Sequence, residues 1–247
     1  MSSVILTSYF SKKKHPNSSS DNHVIGREKD GRVIQGSIKY IEPWYNSVCD
    51  LNIEGRVFYD DLSDEFIKEY ETDKIKFIKV EISDYSNNDW RFFCYRNFLE
   101  ENKFDSVFLS DGSDVTVVKD PSEIVNSTNH DLYVCKDSIK LDEFPYLGFH
   151  KSQDWDDYVL MCLNKTRWPL INMGVLGGSY KNIIDFLNIF CEVRSEMGNA
   201  DFNANMWIGQ YVFRSLFKDK SIMIGEPFTS EFKKYQDDRK DVYFIHK

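Results

Sequence analysis

Two carboxylates three residues apart, Asp111 and Asp114, stand in the segment Phe108-Leu-Ser-Asp-Gly-Ser-Asp-Val-Thr-Val-Val118, directly after a short apolar run. On a tight Gly-Ser turn they make a hard-oxygen site suited to Mg²⁺ or Mn²⁺. Such ions take one or two protein carboxylates and leave positions for substrate phosphates. The same residue types also favour plain turns, so the tetrapeptide alone does not choose. His246, taken alone, reads as an incidental surface residue, although a neutral imidazole is an acceptable partner for Mn²⁺ beside carboxylates. Gly174, Gly177 and Gly178 lack the following Lys-Ser/Thr of a phosphate-cradling loop, and read as a turn ending a strand. The five cysteines, Cys49, Cys94, Cys135, Cys162 and Cys191, are dispersed in apolar surroundings with no CxxC pair. That pattern argues for reduced, buried thiols rather than a zinc site or a disulfide framework.

The elements that must position these residues alternate. Val4–Phe10 reads as a buried strand, Ser37–Asp50 as a helix and Ile53–Tyr59 as a strand. Ser63–Tyr70 comes next as a helix capped by Ser63, then Lys74–Ile82 as a half-exposed strand. Asp89–Asn102 is an aromatic helix capped by Asp89, and Asp105–Leu109 a buried strand. On that helix the plain reading of Arg91 is a pairing with Asp89 or Glu100. The second half offers strands at Asp131–Lys136, Leu170–Leu176, Ser221–Ile224 and Asp241–His246, and helices at Gln153–Asn164, Tyr180–Met197 and Asp201–Phe217. Between the first strand and first helix, the polar stretch Ser11–Gly36 is expected to be a long mobile loop of the kind that forms lids, with Lys12-Lys13-Lys14-His15 a solvated face of it. The tryptophans Trp44, Trp90, Trp155, Trp168 and Trp207 are mainly core candidates. Strand-helix alternation predicts an α/β fold with an open, mostly parallel twisted sheet and helices on both faces. Neither a repeat nor a linker divides the chain, so residues 1–247 are expected to form a single domain. In such sheets ligands bind at the carboxyl ends of the strands, where Asp111 and Asp114 fall.

The run Phe-Leu-Ser-Asp-Gly-Ser-Asp-Val-Thr-Val-Val-Lys-Asp-Pro resembles the metal-binding segment of GT-A fold glycosyltransferases, in which a strand delivers an Asp-x-Asp-type motif that holds a metal under a nucleotide diphosphate. Aligned on Asp114, the first Asp of that motif falls at Gly112, and Asp111 lies one residue earlier. The resemblance therefore makes Asp114 the firmer ligand and leaves Asp111 to the metal or the ribose. Five more segments fit the same family in order. Thr7-Ser8-Tyr9 corresponds to the place that receives the nucleotide base, and Arg91 to a basic residue facing the motif or the diphosphate. Asn172 and Gly174, in Leu170-Ile-Asn-Met-Gly-Val-Leu-Gly-Gly178, match the stretch lining the sugar and acceptor side. Asp201 matches a helix-start acid that touches the donor sugar, while His246 and Lys247 match a late strand giving a His to the metal and a Lys to the diphosphate. The resemblance spans nearly the whole chain. It implies a single GT-A-like domain, with the nucleotide bound by residues up to about 120 and the sugar and acceptor by the remainder.

The activity this resemblance implies is transfer of a sugar from a nucleotide-diphosphate sugar, with uracil the base commonest in the family, to a carbohydrate or glycan hydroxyl. Mn²⁺ or Mg²⁺ would bridge the diphosphate, Arg91 and Lys247 would add fixed positive charge, and Asp201 would act as general base or steady the sugar cation. A formal net charge of −9 without a basic stripe argues against a nucleic-acid partner. No apolar run approaches the ~18 residues of a spanning helix, so a soluble, cytoplasmic protein with no integral membrane segment is expected. Two alternatives remain. A metal-dependent phosphohydrolase of the HAD type carries its nucleophilic Asp after the first strand, where this chain has Thr7-Ser8-Tyr9-Phe10 and no carboxylate. A non-catalytic sugar-nucleotide-binding module would retain the pocket and lack turnover.

Overall fold

The computed structural model describes residues 2–16, 26–28, 32–143, 168–198 and 202–247. Nine strands occur among them: β1 (Ser3–Tyr9), β2 (Glu54–Tyr59), β3 (Ile75–Lys79), β4 (Ser106–Ser110), β5 (Val115–Val117), β6 (Leu132–Lys140), β7 (Pro169–Ser179), β8 (Ile222–Ile224) and β9 (Phe244–His246). Seven of them form one sheet in the order β3-β2-β1-β4-β7-β6-β8, and β5 and β9 form a separate antiparallel pair. Within the large sheet β7 alone runs against its neighbours. The fold is thus α/β with a mostly parallel sheet, as the alternation of elements predicts.

The helices are α1 (Glu42–Asp50), α2 (Asp64–Tyr70), α3 (Asn87–Glu101), α4 (Ser122–Ser127), α5 (Tyr180–Glu196) and α6 (Asn205–Tyr211). A parallel strand covered on both faces must be apolar throughout, and Val4-Ile5-Leu6 of β1 is fully buried. Successive side chains serve opposite faces. Val4 and Leu6 join a core with Phe92 of α3 and Phe186 and Phe190 of α5. Ile5 and Tyr9 join a second core with Trp44 and Val48 of α1 and Phe66 of α2. Strands from both halves of the chain lie in the same sheet, with β4 and β7 adjacent.

Several boundaries differ from the sequence reading, each for a local reason. The cap of α3 is Ser86, whose hydroxyl accepts the N–H of Asp89 at 3.2 Å. Asp89 itself is fully buried in the first turn, where its carboxylate accepts from Arg194 Nε at 2.7 Å and from Ala204 N at 3.1 Å. Gly177 and Gly178 do not end their strand. They pair with Phe108 and Val107 inside β7, which turns only at Ser179, the cap of α5. Glycine is needed there because a Cβ on Gly177 would lie 2.2 Å from the Phe108 ring. The helix expected over Asp201–Phe217 is shorter: α6 begins at Asn205 and passes into a π-helical turn, Val212–Leu216. The stretch expected as a helix over Ser37–Asp50 opens with a 3₁₀ turn at Ile38–Tyr40. The last strand is confined to Phe244–His246, since Asp241 is drawn into a two-pronged pairing with Arg239. The helix expected over Gln153–Asn164 lies outside the described residues, as do residues 17–25 and 29–31 of the expected lid.

Candidate metal centre and its cleft

β4 ends at Ser110, and the chain turns through Asp111-Gly112-Ser113-Asp114 straight into β5. β9 pairs with β5 so that His246 stands opposite Val115, and Lys247 N donates to Asp114 O at 2.9 Å. Two residues distant in sequence are thereby locked side by side: Asp114 just before β5, and His246 on the facing strand. The backbone of Asp111 is fixed from the other side, its N–H donating to Gly174 O of β7 at 2.7 Å.

The side chains converge. His246 Nε2 lies 3.8 Å from Asp111 Oδ2 and 3.8 Å from Asp114 Oδ2. Ligand-capable atoms of the three residues all fall within 4.8 Å of one another. His246 is 1 % exposed, and its Nε2 has no hydrogen-bond partner among the described residues. A buried imidazole nitrogen left orphaned and aimed at two carboxylates is costly unless something else occupies the space between them. One nitrogen and two carboxylate oxygens form a donor set that suits Mn²⁺ or Mg²⁺. Gly174 keeps that space open, because a Cβ there would stand 2.2 Å from His246 Cε1 and 2.7 Å from Asp111 Oδ2.

Arg91 reaches the site from α3. Its partner is neither Asp89 nor Glu100: Nη1 pairs with Asp111 Oδ1, and Nη2 donates to Met173 O at 3.0 Å. Asp111 therefore has one oxygen anchored and the other turned to His246, which restores it as a ligand candidate beside Asp114. Burial alone would raise the Asp114 carboxyl, but the neighbouring His246, Arg27 and His15 hold it below the ordinary carboxylate value. Burial would likewise lower His246, but the Cys135 sulfur and the Asp114 carboxylate outweigh it and push the imidazole up to about 10.

Around the three residues opens a cleft of about 730 Å³ at the carboxyl end of β1 and β4. Ser8, Arg91, Asn172 and Gly174 all line it. Asn172 is held by Asp137, donating to Oδ2 at 2.9 Å, and accepts the N–H of Gly174 at 2.7 Å. Thr7 and Tyr9 do not line it. Both are fully buried, and the Tyr9 hydroxyl donates to Ile34 O at 2.6 Å. Lys247 is also elsewhere, its Nζ 3.1 Å from Asp237 Oδ1. Asp201 lies outside the described residues.

Two cations, an imidazole and a carboxylate escaped the sequence reading. Arg27, His15 and Lys233 line the cleft with Arg91, and so does Asp137. Lys233 adopts φ 62, a left-handed backbone that costs a lysine energy, within a turn. Burial, with Arg27 and Arg91 close by, lowers His15 to about 3 against the opposing pull of Asp114. Nothing in Lys12-Lys13-Lys14-His15 or in the polar stretch holding Arg27 marks these residues off from a solvated loop. No family model matches the chain, and no curated protein matches it either.

Proposed function

We propose that this protein is a metal-dependent glycosyltransferase that moves a sugar from a nucleotide-diphosphate sugar, UDP-linked in the first instance, to a hydroxyl of a carbohydrate acceptor. The observation that carries the proposal is the meeting of Asp111, Asp114 and the orphaned Nε2 of His246 at the strand ends, inside a cleft lined by further cations. In sugar transfer the difficulty is departure of a diphosphate from the anomeric carbon. A divalent ion held by Asp111, Asp114 and His246 supplies Lewis-acid stabilisation of the charge on that leaving group. Arg91 keeps Asp111 oriented, while Arg27, Lys233 and Arg91 give the phosphates fixed positive charge in an otherwise acidic chain. Asp137 and Asn172 offer a carboxylate and an amide to sugar hydroxyls. Asp201 is retained as the residue that takes the acceptor proton in an inverting reaction or steadies the sugar cation in a retaining one. No helix among the described residues is long and apolar enough to cross a membrane, which suits a cytoplasmic enzyme with a soluble or peripheral acceptor.

The test is thermal melting with Mn²⁺ and a panel of UDP-, GDP- and dTDP-sugars, followed by turnover assays. A cognate donor at 100 times its Kd is expected to add about 2.7 kcal/mol of stability. Asp114→Ala should leave a folded protein without metal-dependent turnover, since Asp114 is only partly buried on a turn. Full activity of that variant in EDTA would sink the proposal. Hydrolysis of simple phosphate esters would favour a phosphohydrolase, and donor binding without transfer a non-catalytic module.

A further inference from the structure

His246 has two ring nitrogens, and the metal centre proposed above concerns only Nε2. The other, Nδ1, lies 3.3 Å from Cys135 Sγ, and among the described residues it has no other hydrogen-bond partner. Cys135 is fully buried at an irregularity of β6, where pairing with β7 jumps from Val134↔Leu176 to Cys135↔Asn172. Its sulfur also approaches two carbonyl oxygens, Lys136 O at 3.5 Å and Ser230 O at 3.9 Å. Ser230 grips His246 a second time, its hydroxyl accepting the backbone N–H at 2.9 Å, and the Phe232 ring packs on the imidazole at 4.3 Å between centroids. The ring is thus held by Cys135 and Phe232, and its backbone by Ser230.

An imidazole that ligates a metal is neutral and carries one proton, and the direction of the hydrogen bond to sulfur decides where. If the thiol donated its S–H to Nδ1, the ring proton would sit on Nε2, pointing between Asp111 and Asp114 as a hydrogen-bond donor. That arrangement excludes a cation. If the thiol gives its proton to a carbonyl oxygen, the sulfur lone pairs accept Nδ1–H, and the lone pair of Nε2 faces the carboxylates. Two carbonyls stand within reach of the thiol proton, and they favour the second arrangement.

We infer that Cys135 is the positioning residue of the metal centre: its sulfur accepts Nδ1–H of His246 and so turns the basic nitrogen toward Asp111 and Asp114. In most protein metal sites a carboxylate, a backbone carbonyl or water does this, and its loss costs 10–100-fold in metal affinity. The inference rests on the metal reading above.

The experiment compares the parent protein with Cys135→Val, similar in size but unable to hydrogen-bond, and Cys135→Ser, which keeps a hydroxyl in place of the thiol. Mn²⁺ affinity is read from the EPR signal of free Mn²⁺. The protonated ring nitrogen is read by long-range ¹H–¹⁵N NMR on Zn²⁺-loaded samples. The valine variant is expected to bind Mn²⁺ roughly 10–100-fold more weakly, the serine variant to stay within a few-fold of the parent, and the parent to show the proton on Nδ1. Unaltered Mn²⁺ affinity in Cys135→Val would overturn the inference while leaving the metal centre intact, and a proton on Nε2 in the loaded parent would overturn both. A parent that binds no Mn²⁺ would instead overturn the metal reading and this inference with it. Should the valine variant fail to fold, Cys135→Ala makes the same comparison.

Discussion

Asp111 divides its carboxylate between two neighbours, Oδ1 to Arg91 and Oδ2 toward His246. At the residue scale this predicts that Arg91→Lys, which cannot hold both Asp111 and the Met173 carbonyl in one planar fork, weakens Mn²⁺ binding although it keeps the charge. An isothermal titration of both proteins with Mn²⁺ checks it. His15 gives a pH prediction. Its folded-state value is lowered to about 3 from an ordinary 6.5, so between those limits the unfolded chain binds a proton that the folded one rejects. Stability therefore rises with pH across that window, and His15→Gln should flatten the rise in urea melts taken from pH 4 to 7. A slope indifferent to the substitution would show that the imidazole is not held among the cations. The placement of Asp114 beside His246 was foreseen from the family resemblance rather than from their side-chain types alone. That of His15, Arg27 and Cys135 was not, because their roles come only from what the fold sets beside them.

At the scale of elements, the site depends on β7 lying flush against its surroundings. Gly174→Ala is expected to force His246 and Asp111 apart, weakening Mn²⁺ binding sharply and destabilising the fold by about 1–3 kcal/mol, as overpacking does. Gly177→Ala, which meets the Phe108 ring instead, should cost a similar amount of stability and leave Mn²⁺ affinity unchanged. Urea denaturation beside metal titration separates the two. The strands β1, β2 and β4 could be read from their apolar runs and α1 from its periodicity, whereas α2 was marked by its Ser63 cap and α3 by its aromatic content. The extent of β7 could not be read. Two consecutive glycines look like a turn until the facing Phe108 explains why nothing larger fits. The cap of α3 was misplaced for a related reason: Asp89 has the right chemistry for a cap, but the buried guanidinium of Arg194 claims it.

At the scale of the whole molecule, two cores separated by the sheet are tied together along different lines. Asp89 and Arg194, both fully buried, join α3 to α5 and, through Ala204, to the start of α6. Asp89→Ala would remove the carboxylate paired with a buried guanidinium and is expected to cost about 3–5 kcal/mol, measurable as a lower urea midpoint with an unchanged slope. The mostly parallel sheet was foreseeable from the alternation of elements, whereas the reversed β7 and the detached β5–β9 pair arise from long-range pairing that no local pattern announces. That small pair has a mechanical meaning. β9 is held by a three-residue ladder to β5, by a bridge from Phe244 to Thr229 and by His246. An ion gripping Asp114 and His246 would close everything between them into one loop, removing conformations from the unfolded chain much as a disulfide does. The ion would then act as a rivet as well as an electrophile, and stripping it should loosen β9 before the sheet itself gives way.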